Sequence, residues 1–243
     1  MGESLEPEHG RLSRFVRVLD VPPADTGAET APPPVAHAPV TPGLPERFGE
    51  MAGDTGFRPA PAPEPSRASG AFERAFAVVI GHEGGYQNDP ADPGNWTGGR
   101  CGVGECRGTN WGISAASYPD LPIRSLTLDQ ARAIYRHDYW DRVGGDHLPP
   151  PLALLVFDAA VNCGVGRAAR WLQDVVGAAQ DGVVGPRTVE AVRARNGHAV
   201  AMMADYQALR TVFHAGLPTW PRFGKGWAKR LCRLPYEAIR MGL

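Results

Sequence analysis

Residues 70–86 read GAFERAFAVVIGHEGGY, and the reading of this stretch governs the rest of the chain. Phe72, Phe76, Val79 and Ile80 recur at the spacing of one helical face, which predicts a helix over 71–83. Glu83 falls on that same face, so the helix would aim its carboxylate at the core. Burial disfavours a charged carboxylate, and the negative end of a helix dipole disfavours it further. A carboxyl that keeps its proton near neutral pH is what a general acid needs. The plainer reading is that a Glu near a helix end is solvated and that Gly84 merely ends the helix.

C-terminal to this stretch the pattern stays helical, and strand-like alternation is scarce. Thr127 with Gln130 three residues on has the form of a capping box, opening a helix that runs through Ala131, Ile134 and Tyr135 to about Trp140. Pro149, Pro150 and Pro151 precede a segment over 152–162 that is apolar on all sides, as a buried central helix is. Further helices are expected over 167–176, from Thr188, over 198–215, and over 225–240 with an interruption near Pro235. The expected fold class is all-α, with a helical body from residue 70 onward.

N-terminal to the stretch the composition changes. Thirteen of the 24 prolines fall in the first 70 residues, so 1–69 is expected to be a disordered Pro/Ala-rich arm. Within it Leu12, Phe15, Val16 and Leu19 have helical spacing, so 11–20 reads either as a short docking helix for a partner or as a transient helix with none.

The whole chain of 243 residues is 43% hydrophobic, which suffices for one or two domains with a real core. Its formal charge of −1 and lack of a basic run argue against nucleic-acid binding. No membrane span is expected, and residues 1–10 lack the apolar core of a secretory leader. A cytoplasmic origin with later release or particle-borne delivery is therefore expected. Cys101 and Cys106 are read as structural thiols, free or bridged, and not as a metal site; Cys163 and Cys232 are read as small core residues.

Residues 83–97 read EGGYQNDPADPGNWT. This string resembles the signature of the glycoside hydrolase 108 family, bacterial and phage-type N-acetylmuramidases that cut peptidoglycan. The resemblance implies a lysozyme-like helical body over 70–162, no metal or organic cofactor, peptidoglycan glycan strands as the partner, and Glu83 as the proton donor. The string Asp181-Gly182-Val183-Val184-Gly185-Pro186-Arg187-Thr188 resembles a peptidoglycan-binding element commonly paired with that family. It implies a helical accessory subdomain over 163–243, packed on the catalytic part.

Glycosidic cleavage commonly takes a second carboxylate. Asp92, in the Asp-Pro-Gly string, is the first candidate for that role and Asp89 the next, although both stand in turn sequences where Asp also caps backbone. Asp89, Tyr86, Trp96 and Thr97 are candidate substrate contacts, the aromatics because sugar rings have apolar faces and polar rims. Tyr135 and Tyr139, one helical turn apart, are candidates for one wall of a cleft. Between Thr97 and Trp111 the chain departs from the shortest form of the motif through an inserted Gly-rich loop, which carries Glu105 as a third carboxylate.

The expected function is thus a peptidoglycan hydrolase of lysozyme type. The alternatives are a lytic transglycosylase using the same acid, or a non-catalytic wall-binding component of a phage-like particle attached through the arm.

Overall fold

The computed structural model describes residues 67–81, 85–195 and 197–242. The arm, the 11–20 stretch and Glu83 lie outside the described residues. Among the described residues seven α-helices carry the fold: α1 Arg67–Ile80, α2 Leu128–Tyr135, α3 Pro150–Cys163, α4 Val165–Val176, α5 Pro186–Ala194, α6 Ala199–Ala215 and α7 Trp220–Arg240. One antiparallel hairpin joins β1, Thr109–Asn110, to β2, Ile113–Ser114. The all-α expectation holds, with that hairpin as the one sheet among the described residues.

The centre is α3. Nine consecutive residues, Leu152 to Ala160, have no exposed surface. The other helices pack round it, α1 on one side and α4, α6 and α7 on others. Burying each large apolar side chain contributes about 1.5–3 kcal/mol. On the α1 side the contact is aromatic: Phe157 lies edge-on to Trp140 at 5.4 Å, and Phe72 edge-on to Trp140 at 5.5 Å. The capping box of α2 forms as its sequence predicts, Thr127 Oγ1 accepting from Gln130 N–H while Gln130 Oε1 accepts from Thr127 N–H. Beyond it the chain widens into a π-helical turn, Arg136–Trp140.

Three expectations need correction. α1 ends at Ile80, three residues before Glu83, because Gly81 adopts the left-handed φ of +66° that closes a helix. The helical-face argument for Glu83 therefore stops short of it. Second, α7 is not interrupted at Pro235. Proline deprives the Leu231 carbonyl of its helical donor, and Gln207 Nε2 on α6 supplies a replacement at 2.7 Å. Third, Cys232 is exposed on α7 and is no core residue. Cys101 and Cys106 are free thiols, one of the two states expected of them, and Cys106 donates to Asn88 Oδ1 at 2.8 Å.

A charged residue sits inside the apolar centre. Asp158 of α3 is fully buried and accepts from Arg210 of α6 at 2.8 Å and from Arg230 Nε of α7 at 3.0 Å. Burial alone would push its carboxyl up, but Arg230 and Arg210 outweigh it and hold the group below its ordinary value.

His214, one turn beyond Arg210 on α6, is pushed down to about 4 by burial and then by Arg210, with Arg167 of α4 and Arg230 adding and Asp158 opposing. A depressed histidine pKa means that the unfolded chain takes up a proton that the fold refuses, so stability is full above the unfolded value and falls as pH drops from about 6.5 towards 4. Between pH 7 and 5 this contributes a loss on the order of 2 kcal/mol. Urea unfolding at the two pH values measures it, and in His214→Phe the difference shrinks by that amount.

Candidate active site

The loop that follows α1 is organised around a side chain that composition does not advertise. Asn95 is fully buried. Its Nδ2 donates to Gln87 Oε1 at 3.0 Å and to the Asp89 carbonyl at 2.9 Å, and its Oδ1 accepts from Gln87 Nε2 at 3.1 Å and from Thr109 Oγ1 at 2.8 Å. Its carbonyl accepts from Arg107 and Gly108 N–H. Residues 87–95 are thereby tied to the inserted loop and to β1, where Gln87 and Thr109 exchange two backbone hydrogen bonds.

The inserted loop folds back on the signature loop. Thr97 N–H donates to the Glu105 carbonyl and Thr97 Oγ1 accepts from Glu105 N–H, both at 2.9 Å. Glu105 forms an ion pair with Arg107 at 2.7 Å, and Arg107 reaches the Pro119 carbonyl at 2.8 Å. The hydrogen bond and charge of Arg107 hold the Glu105 carboxyl below its ordinary value. It is an ionised strut, unsuited to donate a proton.

The candidate residues divide between this loop and the core. Asp92 is buried and caps the 3-10 turn Pro93–Asn95, Oδ1 accepting from Gly94 N–H at 2.8 Å. Asp89 is exposed, and its Oδ1 accepts from Ala91 N–H at 2.9 Å. Trp96 donates its indole N–H to the Pro90 carbonyl at 2.9 Å. Tyr86 is 37% exposed, with the Arg124 guanidinium 5.6 Å from its ring centre. Its ring edge closes on Gly108, where a Cβ would come within 2.7 Å of it; Gly108 also has φ +84°. The structure thus gathers Tyr86, Asp89, Asp92, Trp96 and Thr97 into one loop unit.

Tyr135 is a different case. It is buried, packs edge-on against Phe76 at 5.5 Å and Phe157 at 6.3 Å, and donates to the Trp111 carbonyl at 3.2 Å. It is a core residue and offers no open wall, because the turn that spaces it from Tyr139 is also the turn that faces α1 and α3. Tyr139 is half-buried beside it at 5.7 Å.

Two features lay beyond sequence reasoning. Tyr118 donates to Asp138 Oδ2 at 2.6 Å, placing a half-buried carboxylate on the π-helical turn beside Tyr139. Burial, with Tyr139 and Asp138 nearby, pushes the Tyr118 hydroxyl far above its ordinary value, so it stays a donor. The hairpin turn Trp111-Gly112 has positive φ at both positions, +52° and +76°. Two-residue hairpins favour that geometry, but a Trp there costs about 1–3 kcal/mol of backbone strain. Its indole N–H donating to the Leu126 carbonyl at 2.9 Å, and Tyr135 bonding its own carbonyl, hold it in place. Strained residues cluster at functional sites, and this one joins the loop side of the fold to the tyrosines.

In the second half, Gln173 builds the turn before α5. Buried on α4, it donates to Asp181 Oδ1 at 2.6 Å and to the Val183 carbonyl at 3.0 Å, and accepts from Gly182 N–H at 3.0 Å.

A helical body, a loop carrying Asp89 and Asp92 after its first helix, and a second helical portion match the peptidoglycan hydrolases among known proteins. The chain belongs to the glycosyl hydrolase 108 family: that family's profile matches residues 76–164, and a profile described as a predicted peptidoglycan domain matches residues 167–232. Among solved structures, that of Brucella abortus SagA is similar, with 35% sequence identity and a TM-score of 0.59 over 71% of this chain and 95% of that chain. No curated protein matches the chain. No helix among the described residues is long and apolar enough to cross a membrane.

The Asn95 network carries a prediction. Asn95→Ala removes four hydrogen bonds from the loop and leaves the Asp89 carbonyl short of a donor. Loosened positioning of this kind costs on the order of 100-fold in rate. The expected result is a loss of that size in clearing of purified cell walls, with the helical circular dichroism retained.

Proposed function

We propose that this peptidoglycan hydrolase cleaves the glycosidic bond between N-acetylmuramic acid and N-acetylglucosamine, with Glu83 as the general acid. The observation that carries the reading is the Glu-Gly-Gly-Tyr string at 83–86, inside the family match and directly before the loop built round Asn95. Tyr86 and Trp96, on that loop, are suited to stack on sugar faces. Asp92 serves by capping and setting the loop, with a second catalytic role as the part of the proposal that Asp92→Asn tests. The second helical portion holds glycan strands near the site. Attachment to a phage-like particle through residues 1–69 is the delivery route that belongs to the same proposal.

One observation favours a second reading, a lytic transglycosylase. Asp89, Asp92 and Glu105 are all engaged in building the loop, and a mechanism with one acid, in which the sugar's own hydroxyl attacks, needs no partner carboxylate. Both readings predict that purified sacculi release glycan fragments and no new free amino groups. Release of amino groups, the mark of peptide or amide cleavage, would defeat both.

A further inference from the structure

Among the described residues four buried side-chain nitrogens have no hydrogen-bond partner, and three of them belong to neighbouring residues: Nε of Arg210, Nδ1 of His214 and Nε1 of Trp227. Their residues are 1%, 5% and 3% exposed, and all three line one cavity of about 10 Å³ with Asn162, Arg230 and Leu231. Natural proteins rarely leave such groups unpaired, and each has an explanation in a bound water or ion. The chemistry of the lining selects between them.

Arginine Nε–H and indole N–H only donate. His214 presents a third donor when its Nε2 accepts from the Cys163 thiol, 3.8 Å away, because the tautomer then puts the proton on Nδ1. Burial keeps the Cys163 thiol above its ordinary pKa, so the thiol proton is available for that role. Charge points the same way. Arg167, Arg210 and Arg230 surround His214, and Asp158 is the single carboxylate acting on it. Donor-bearing residues gathered round one small cavity beside a surplus of positive charge suit an anion. The volume suits a single small ion better than sulfate, phosphate or a sugar.

We propose that the cavity between α3, α6 and α7, lined by Arg210, His214 and Trp227, binds a single small monovalent anion of the chloride type. The site lies on none of the loop elements described above. Asn162 falls within the glycosyl hydrolase match, and Arg210, His214 and Trp227 fall within the peptidoglycan-domain match. The anion thus fastens the two matched portions by completing the Asp158–Arg210–Arg230 cluster.

The test is thermal unfolding of the full chain at pH 7 and constant ionic strength, with sodium chloride or bromide replacing sodium gluconate. An anion that binds only the folded state raises Tm with its concentration. The expected result is a rise of several degrees in the wild type, lost in Trp227→Phe, which keeps an aromatic side chain and removes the donor. Crystals soaked in bromide should show anomalous scattering within hydrogen-bond distance of Arg210 Nε and Trp227 Nε1. Equal Tm in both salts overturns the proposal. So does a chloride effect unchanged in Trp227→Phe, or a cavity holding only water after the bromide soak.

Discussion

Glu83→Gln should fold, bind purified cell walls as the wild type does, and clear them at a rate lower by a factor on the order of 10²–10⁴, the usual contribution of a positioned proton donor. Glutamine keeps the shape of the side chain and cannot give up a proton at neutral pH. α1 ends at Ile80, so the change falls outside the helix that carries Phe72, Phe76 and Val79. The comparison is wall turbidity against sedimentation of bound protein, on the same wall preparation. Equal rates in the two proteins would refute the assignment of the acid.

The second large effect is on stability. Asp158→Asn leaves Arg210, 1% exposed, and Arg230 facing a neutral amide in the centre of the fold. Breaking a buried ion pair from one side costs about 3–5 kcal/mol. Against a total stability of about 5–15 kcal/mol, that is a large fraction. Urea unfolding should show a loss of this size. Asp158→Leu combined with Arg210→Met should lose less than the sum of the two single changes, because the second removes the orphaned charge that the first creates. Full additivity would mean that the pair contributes no mutual interaction.

The legible parts of the fold were those fixed by local pattern. The all-round apolarity of 152–162 announced a buried helix, and Thr127 with Gln130 announced where α2 starts. What stayed hidden depends on partners distant in sequence. Asp158 reads as an anomaly in an apolar helix until Arg210 and Arg230, 52 and 72 residues on, are brought to it. Pro235 reads as a helix breaker until Gln207, on another helix, takes up the carbonyl it strands. At the site, local spacing within the string 83–97 could not say which of its polar residues build the loop. Asn95 looks like one more turn residue in Pro-Gly-Asn-Trp, and only the closing of the inserted loop makes it the centre. The helical spacing that pairs Tyr135 with Tyr139 likewise does not tell which face meets the core, and Tyr135 lies in it.

The most direct test of the account is mass spectrometry of the fragments released from purified peptidoglycan by the full chain. Hydrolysis by a muramidase predicts muropeptides ending in a reducible N-acetylmuramic acid. Fragments one water lighter, with anhydro ends that resist reduction, would contradict it and establish the transglycosylase in its place.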